Sequence, residues 1–364
     1  MKSQERHLVI AAAGTGGHVM PGLAVAAVMK ARGWRVSWIG TTTGMEASLV
    51  AKHDIPFHAL DFQGVRGHGL LGAVKGGVKL LSSGLDARKV LTELAPDVVF
   101  STGGYVAVPV GYAAKTKGIP LVLMNCDADI LMSTQTLLPV CRFLACGFAG
   151  GARSFAKDKG RTTGNPVRSD ILAIDPPDER LAGHAGRLKL FVFGGSLGAQ
   201  ILNDTVPEAL ALIPAEKRPE VLHQTGRNRD EAVREKYASL GVEATVVPFI
   251  DDMATRYSES DLVLCRAGAT SVSELCAAGA ASILVPFVAK TTAHQLGNAR
   301  FMADRGAARM MKNEECTPEA LAELLSKITR EEVLAMAKNA RSLARPMAAE
   351  SVADLIEEAL VENR

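Results

Sequence analysis

Three stretches of this sequence carry residue types at spacings that can do chemistry on a phosphorylated ligand. Gly14-Thr15-Gly16-Gly17-His18 follows the apolar run Leu8-Val9-Ile10 and precedes residues 21–32, which are apolar at helical spacing. It reads as strand, glycine-rich loop, helix, with Pro21 suited to the first helical turn. Glycines let the backbone approach a ligand closely, and a helix N-terminus offers N–H groups and partial positive charge. The expected guest is a phosphate or pyrophosphate. His18 adds a group that takes or gives a proton near neutral pH. Gly194-Gly195-Ser196-Leu197-Gly198 repeats the design between an apolar run at 188–193 and a helical stretch at 199–212. In the third stretch, Cys265-Arg266-Ala267-Gly268 leads from a strand into a helix that carries Glu274. That carboxylate reads equally as a first-turn partner of the helix dipole or as an acceptor for ribose hydroxyls.

Other chemistries fit less well. The first loop is not G-x-G-x-x-G, and the second strand ends Trp38-Ile39-Gly40-Thr41 without the acid that would hold a ribose in a nicotinamide fold. No Walker lysine follows either loop. Residues 194–198 match the G-x-S-x-G nucleophile elbow, and Glu274 and His294 follow Ser196 in hydrolase order. A hydrolase would leave the first glycine loop without a purpose, so Ser196 is better used to hold phosphate. Asp127-Ala128-Asp129 resembles a D-x-D metal site, but carboxylates on the surface at a strand end are the simpler reading. The six cysteines show no C-x-x-C pairing, and none is read as a ligand.

Positioning these groups requires alternating strands and helices. Strands are expected at 35–39, 57–60, 98–100, 121–124 and 143–146, then at 188–193, 220–224, 244–248, 261–265, 281–285 and 308–311. Residues 317–362 read as almost entirely helical, and a linker is expected near 165–186, around Gly164-Asn165-Pro166 and Pro176-Pro177. The fold class is α/β: two Rossmann-like, doubly wound parallel-sheet domains, with ligand at the strands' carboxyl ends in the cleft between them. A chain of 364 residues is long enough for two cores, and its 48% hydrophobic and 22% charged residues fit a globular α/β protein. A net charge of +2 makes no case for nucleic acid. The N-terminus does not read as a signal peptide, and no apolar run approaches the ~20 residues of a membrane span, so a cytoplasmic location is expected.

Seven motifs then occur in order: G-T-G-G-H-V-x-P-G-L-A at 14–24, G-G-Y-V at 103–106, G-N-P-V-R at 164–168, G-G-S-L-G-A at 194–199, F-I-D-D-M at 249–253, C-R-A-G-A-x-x-V-S-E at 265–274 and H-Q-x-x-N-A at 294–299. Together they resemble the MurG family of bacterial transferases, which add N-acetylglucosamine to lipid I to make lipid II in peptidoglycan synthesis. The resemblance covers nearly the whole chain. It implies the GT-B fold, with residues 1–166 forming an acceptor and membrane-associating domain, completed by a C-terminal helix at 345–364, and residues 167–344 binding UDP-N-acetylglucosamine.

By the same resemblance, Ile250 faces the uracil through its backbone, Glu274 takes the ribose hydroxyls and Ser196 meets the diphosphate. His294, Gln295 and Asn298 contact the donor sugar side, with Arg168 near the cleft. Gly14, Thr15, Gly16, Gly17, His18, Tyr105 and Asp127 fall on the acceptor side, and Thr15, Gly16 and Gly17 are also expected to reach the donor. The reaction would be inverting, and His18 is the candidate general base, the alternative being that it only hydrogen-bonds the acceptor pyrophosphate. No tightly bound metal is implied, although Mg2+ can accompany the diphosphate. The implied partners are lipid I, the anionic cytoplasmic face of the membrane, and cell-wall synthesis and division proteins. Residues 70–81, with Leu70, Leu71, Val74, Val78, Leu81, Lys75 and Lys79, read as an amphipathic basic helix for that surface or, equally, as one that buries its apolar side in the domain with the lysines solvated; glycines at 69, 72, 76 and 77 weaken it. The chain departs from the family's H-E-Q-N with Met124-Asn125-Cys126-Asp127, from its first loop glycine with Ala13, and from the acid preceding His-Gln with Ala293. These departures leave open a second reading, a UDP-sugar-binding scaffold without turnover.

Overall fold

The computed structural model describes residues 5–14, 16–42, 44, 46–62, 70–288 and 294–361, with side chains for all of these except 70–80. The chain divides into two compact units, residues up to Pro166 together with those from Met347 onward, and Val167–Pro346.

The first unit is built on seven parallel strands: β1 (His7–Ala12), β2 (Arg35–Thr41), β3 (Phe57–Leu60), β4 (Val98–Gly103), β5 (Leu121–Asn125), β6 (Phe143–Cys146) and β7 (Gly160–Thr162). Their order in the sheet is β3-β2-β1-β4-β5-β6-β7. The second unit holds six: β8 (Lys189–Phe193), β9 (Glu220–Gln224), β10 (Thr245–Val247), β11 (Leu262–Cys265), β12 (Ser282–Leu284) and β13 (Ala308–Met310), ordered β10-β9-β8-β11-β12-β13. Strands such as Leu8-Val9-Ile10 are apolar on both faces because helices cover both, and these side chains are fully buried. β7 has no counterpart in the sequence reading; Arg161 and Thr162 are exposed on it, as on an edge strand.

The order reverses between β1 and β4 in one sheet and between β8 and β11 in the other. Strand connections leave β1 and β4 in opposite directions there, opening a crevice at their carboxyl ends. The glycine loops after β1 and β8 therefore fall at the two switch points.

Several boundaries differ from the sequence reading. The first helix runs Gly16–Ala31, starting five residues before Pro21 and placing His18 in its first turn. Pro21 is tolerated inside it, and the lack of a side chain on Gly22 lets the helix settle on Trp38, whose ring would stand 2.6 Å from a Cβ there. The stretch read as a linker carries helices Ser169–Leu172 and Pro177–Arg180. Arg180 fastens it to the second unit by donating to the carbonyls of Ser260 (2.9 Å) and Gly279 (2.8 Å). The glycine-containing helix runs unbroken over Leu70–Leu94, although the side chains proposed for its amphipathic face at 70–80 lie outside the described residues, as does Gly69.

The last helix, Ala348–Val361, packs on the first helix and on β4, β5 and β6. Its Glu357 accepts from Arg32 (2.9 Å) and from the Trp34 indole (3.2 Å). This returning segment thus completes the first unit's core.

Candidate functional site

In the first unit the groups at the switch point are packed into one another. His18 Nδ1 lies 2.9 Å from the Thr102 carbonyl oxygen, and the Thr102 hydroxyl donates back to the His18 carbonyl at 2.6 Å. A carbonyl only accepts, so Nδ1 carries a proton, which in the neutral imidazole leaves the lone pair on Nε2. The end of β4 reaches this position through Gly103 and Gly104, both at positive φ. A Cβ on Gly103 would press the His18 ring at 3.2 Å, and one on Gly104 would meet the Ala13 carbonyl oxygen at 1.9 Å. Tyr105 follows this pair and is exposed. Thr15 lies outside the described residues; Gly16 and Gly17 open the helix.

Sequence reasoning missed Glu46. It is fully buried, and its carboxylate accepts from the Thr41 amide (2.7 Å), the Thr41 hydroxyl (2.6 Å) and, at 3.4 Å, the Gly14 amide. A carboxylate thus stands behind the first glycine loop and occupies its leading N–H. Room for it comes from Gly40 and Gly44, where a Cβ would overlap the Glu46 side chain.

At the end of β5, Asp127 is only 8% exposed, which corrects the surface reading; Asp129 alone of the pair is exposed. The cause is Asn125. Its Nδ2 donates to the carbonyls of Asp127 (2.7 Å) and Asp129 (2.9 Å), and its Oδ1 accepts from the Leu131 amide (3.0 Å), drawing the loop inward. A glutamate at that position could only accept, so this form of the loop depends on the amide of Asn125. Asn165 donates to the Cys126 carbonyl at 2.9 Å, closing the same corner. All six cysteines are buried, and burial pushes the Cys126 and Cys265 thiols well above their ordinary range. Among the described residues no group of three or more His, Cys, Asp or Glu side chains is placed to hold a metal ion.

In the second unit the loop after β8 turns through Gly195 and Gly198 at positive φ, with the Gly198 amide donating to the Gly195 carbonyl at 2.9 Å. Ser196 is exposed at the tip, ahead of helix Gln200–Leu212. The loop's seat was not legible beforehand. Gln224 donates to the carbonyls of Gly195 (3.2 Å) and Pro248 (3.1 Å), tying the loop to the segment leading to Ile250. A Cβ on Gly198 would meet the Thr225 oxygen at 1.8 Å. Asn203 holds that same oxygen at 3.0 Å, and behind it stand His223 and Tyr237.

Glu274 occupies the middle of helix Ala269–Ala278, not its first turn, so the dipole reading falls. It is 7% exposed; Oε1 pairs with Arg168 at 3.1 Å, and Oε2 accepts from the Tyr257 hydroxyl at 3.1 Å. Burial raises its pKa, while Arg168 and the tyrosine hydrogen bond oppose the rise. These bonds also remove the hydrolase triad, because the carboxylate is committed to Arg168 and Tyr257 and no described hydrogen bond joins Ser196 to a histidine. Asn298 is fully buried and donates to the Ala267 carbonyl at 3.0 Å, holding the turn after β11. Gln295 accepts from the Phe287 amide at 2.8 Å, and His294 opens the same helix, His294–Ala303. Ala293 lies outside the described residues.

Two doubly wound domains, each with a glycine loop at its switch point and a buried carboxylate nearby, define the GT-B fold class. Comparison with known proteins narrows the class. Residues 8–142 match the glycosyltransferase family 28 N-terminal domain and residues 189–358 its C-terminal domain. The chain is 49% identical over 358 residues to the UDP-N-acetylglucosamine–N-acetylmuramyl-(pentapeptide) pyrophosphoryl-undecaprenol N-acetylglucosamine transferase of Methylibium petroleiphilum, covering 97% of each chain. The enzyme of the same name from Herminiimonas arsenicoxydans is also 49% identical, over 98% of this chain and 99% of its own. The crystal structure of Acinetobacter baumannii MurG superposes with a TM-score of 0.83 at 36% identity, covering 97% of this chain and 99% of that one. The chain belongs to this family of glycosyltransferases. A UDP-N-acetylglucosamine 2-epimerase from Neisseria meningitidis shares the fold alone, at 13% identity and a TM-score of 0.64.

Proposed function

We propose that the protein transfers N-acetylglucosamine from UDP-N-acetylglucosamine to the 4-hydroxyl of the muramyl sugar of lipid I, with inversion, forming lipid II. The observation that carries this reading is the end-to-end match, at 49% identity, to relatives bearing the name of that reaction. In the second unit Glu274 accepts the ribose hydroxyls, and the Ile250 backbone meets the uracil. The diphosphate rests on Ser196 and the amides of 196–198, where the helix N-terminus and Arg168 offset the charge that develops as UDP leaves. Gln295 contacts the sugar, with His294 and Asn298 shaping that side. In the first unit the loop from Gly14 to His18 takes the acceptor pyrophosphate, with Tyr105 and Asp127 on its rim.

The acceptor oxygen attacks C1 as the C1–O bond to UDP breaks, through an oxocarbenium-like transition state. His18 Nε2 takes the hydroxyl proton, and the Thr102 carbonyl stabilises the imidazolium through Nδ1–H. Mg2+ enters, if at all, with the diphosphate. Membrane contact is supported by one exposed face of the helix Leu70–Leu94, where Leu81 (73% exposed), Leu85 (70%), Arg88 and Lys89 follow at helical spacing. Among the described residues no helix is long and apolar enough to cross a membrane. A membrane-bound acceptor would place the protein peripherally at the inner face of the plasma membrane, beside cell-wall and division enzymes.

The test is transfer of labelled N-acetylglucosamine to a short-chain lipid I analogue, with UDP binding measured in parallel. Product is expected. UDP binding without product would favour the scaffold reading, in which the Asn125-built loop has closed the acceptor site; absence of both would overturn the donor assignment.

A further inference from the structure

Glu274 is an unusual choice for a ligand-binding acceptor. It is buried mid-helix, where desolvation favours the protonated acid, yet it accepts from two ribose hydroxyls most strongly as a carboxylate, whose charge-assisted bonds are about twice as strong as neutral ones. We infer that Tyr257 is a positioning residue for donor binding, whose hydroxyl holds Glu274 ionised and aimed. This rests on the assignment of Glu274 to the ribose.

The geometry separates the two groups that hold the carboxylate. Arg168 supplies the larger charge stabilisation, but it reaches Oε1 from the edge of the short helix Ser169–Leu172 with its side chain one-third exposed, so it leaves Oε2 to the tyrosine. Tyr257, in helix Met253–Glu259, is fully buried. Its ring stands edge-on to Phe191 and Phe193, with centroids at 6.0 and 6.1 Å, so the hydroxyl has one place to point, and that is Oε2. Burial and the neighbouring Glu274 raise the phenol's pKa well above its ordinary value, so it keeps its proton and remains a donor throughout the working pH range. Each carboxylate oxygen has two acceptor sites, so both bonds can persist while the ribose binds.

The other groups around Glu274 do not replace this one. Asp170, on the Arg168 side, pushes the Glu274 pKa upward, and Cys265 of β11 stays a neutral thiol. Two further helices pack on Ala269–Ala278. From Arg330–Ser342, Arg341 binds the Ala277 carbonyl at the far end; from His294–Ala303, His294 and Arg300 are the titratable groups.

The test is UDP binding by calorimetry from pH 5.5 to 8.5 for the full chain, Tyr257→Phe and Glu274→Gln, with circular dichroism at each pH. Phenylalanine keeps the ring in its slot and removes only the donor. A hydrogen bond to a charged group is worth about 1.5–3 kcal/mol, so its loss shifts the acid limb of the binding profile upward by about one to two pH units. Tyr257→Phe is therefore expected to bind UDP about tenfold or more weakly at the acid end and to approach the unmodified protein at pH 8.5. Titration of the nucleotide's own phosphate is common to all three proteins and cancels. Glu274→Gln should weaken binding throughout and flatten the difference. If Glu274→Gln weakens UDP but Tyr257→Phe leaves the profile in place, or weakens it equally at every pH, the positioning role is wrong and the ribose assignment stands. If Glu274→Gln leaves UDP affinity intact, the ribose assignment itself has failed.

Discussion

His18 shows how a single side chain acquires a role from two hydrogen bonds. The Thr102 carbonyl fixes its tautomer, and the Thr102 hydroxyl fixes the backbone that carries it. His18→Ala should lower kcat by about 10²–10⁴-fold, the range of a lost general base, while UDP affinity stays within about twofold. Single-turnover transfer alongside nucleotide titration checks both; retained turnover would remove the base assignment. Such residues could be proposed from the sequence because phosphate and proton chemistry demand particular types at fixed spacing. Their partners could not. Tyr257 and Arg168 lie 17 and 106 positions from Glu274, and only the folded chain makes them neighbours. Glu46 sits in a polar stretch where a carboxylate reads as solvated; the signal was the two glycines shortly before it, Gly40 and Gly44, which leave the space it fills. Asp127 was misread for a similar reason, because Asn125 pulls in a loop that composition alone leaves on the surface.

At the scale of elements, the second glycine loop is held from behind by a relay of fixed polarity. Asn203 spends its Nδ2 on the Thr225 carbonyl, so its Oδ1 must accept from His223 Nε2–H, and His223 Nδ1 in turn accepts from the Tyr237 hydroxyl. This links helices Gln200–Leu212 and Asp230–Ser239 to the oxygen against which Gly198 is seated. Burial keeps His223 neutral in this relay, lowering its pKa from 6.5 to about 4. In the window between those values the unfolded chain binds a proton that the folded one refuses, so stability falls as pH drops through it. The loss amounts to about 3 kcal/mol. His223→Gln should abolish that part of the pH dependence, measured as the difference between denaturant midpoints at pH 7 and pH 4.5; equal slopes in both proteins would show that His223 titrates normally. Sequence patterning anticipated the strands and helices that carry this relay, since continuous apolar runs and helical periodicity report burial. It misplaced the start of the first helix, because a proline in the opening turn is only a preference and the contacts of His18 and Gly22 override it.

Across the whole molecule the two units share more than strand order. Asp97 immediately precedes β4 and Asp261 immediately precedes β11, and each makes the same clasp with the first residue of the central strand. The Asp97 amide donates to the His7 carbonyl (2.9 Å) and its carboxylate accepts from the His7 amide (2.7 Å); Asp261 does the same with Lys189 at 2.9 and 2.8 Å. Both clasps lie at the amino ends of the strands, opposite the glycine loops, so each domain separates the end that fixes strand register from the end that carries its glycine loop. The second clasp is elaborated: Asp261 also accepts from His184 (2.7 Å) and Arg330 (3.0 Å). Burial alone would raise its pKa, but these donors hold it below the usual carboxylate range. Its contribution is therefore present above the unfolded carboxylate's pKa and is lost as pH falls through the folded value. Asp261→Ala strands the Lys189 amide and Arg330 and should destabilise the second unit by about 2–4 kcal/mol, whereas Asp97→Ala acts on the first. Calorimetry should show a different transition moving in each variant, the Asp261 variant keeping its UDP affinity well below its melting temperature. Loss of UDP binding by folded Asp261→Ala would mean that strand register reaches the glycine loop, and that the two ends of the sheet are not separable after all.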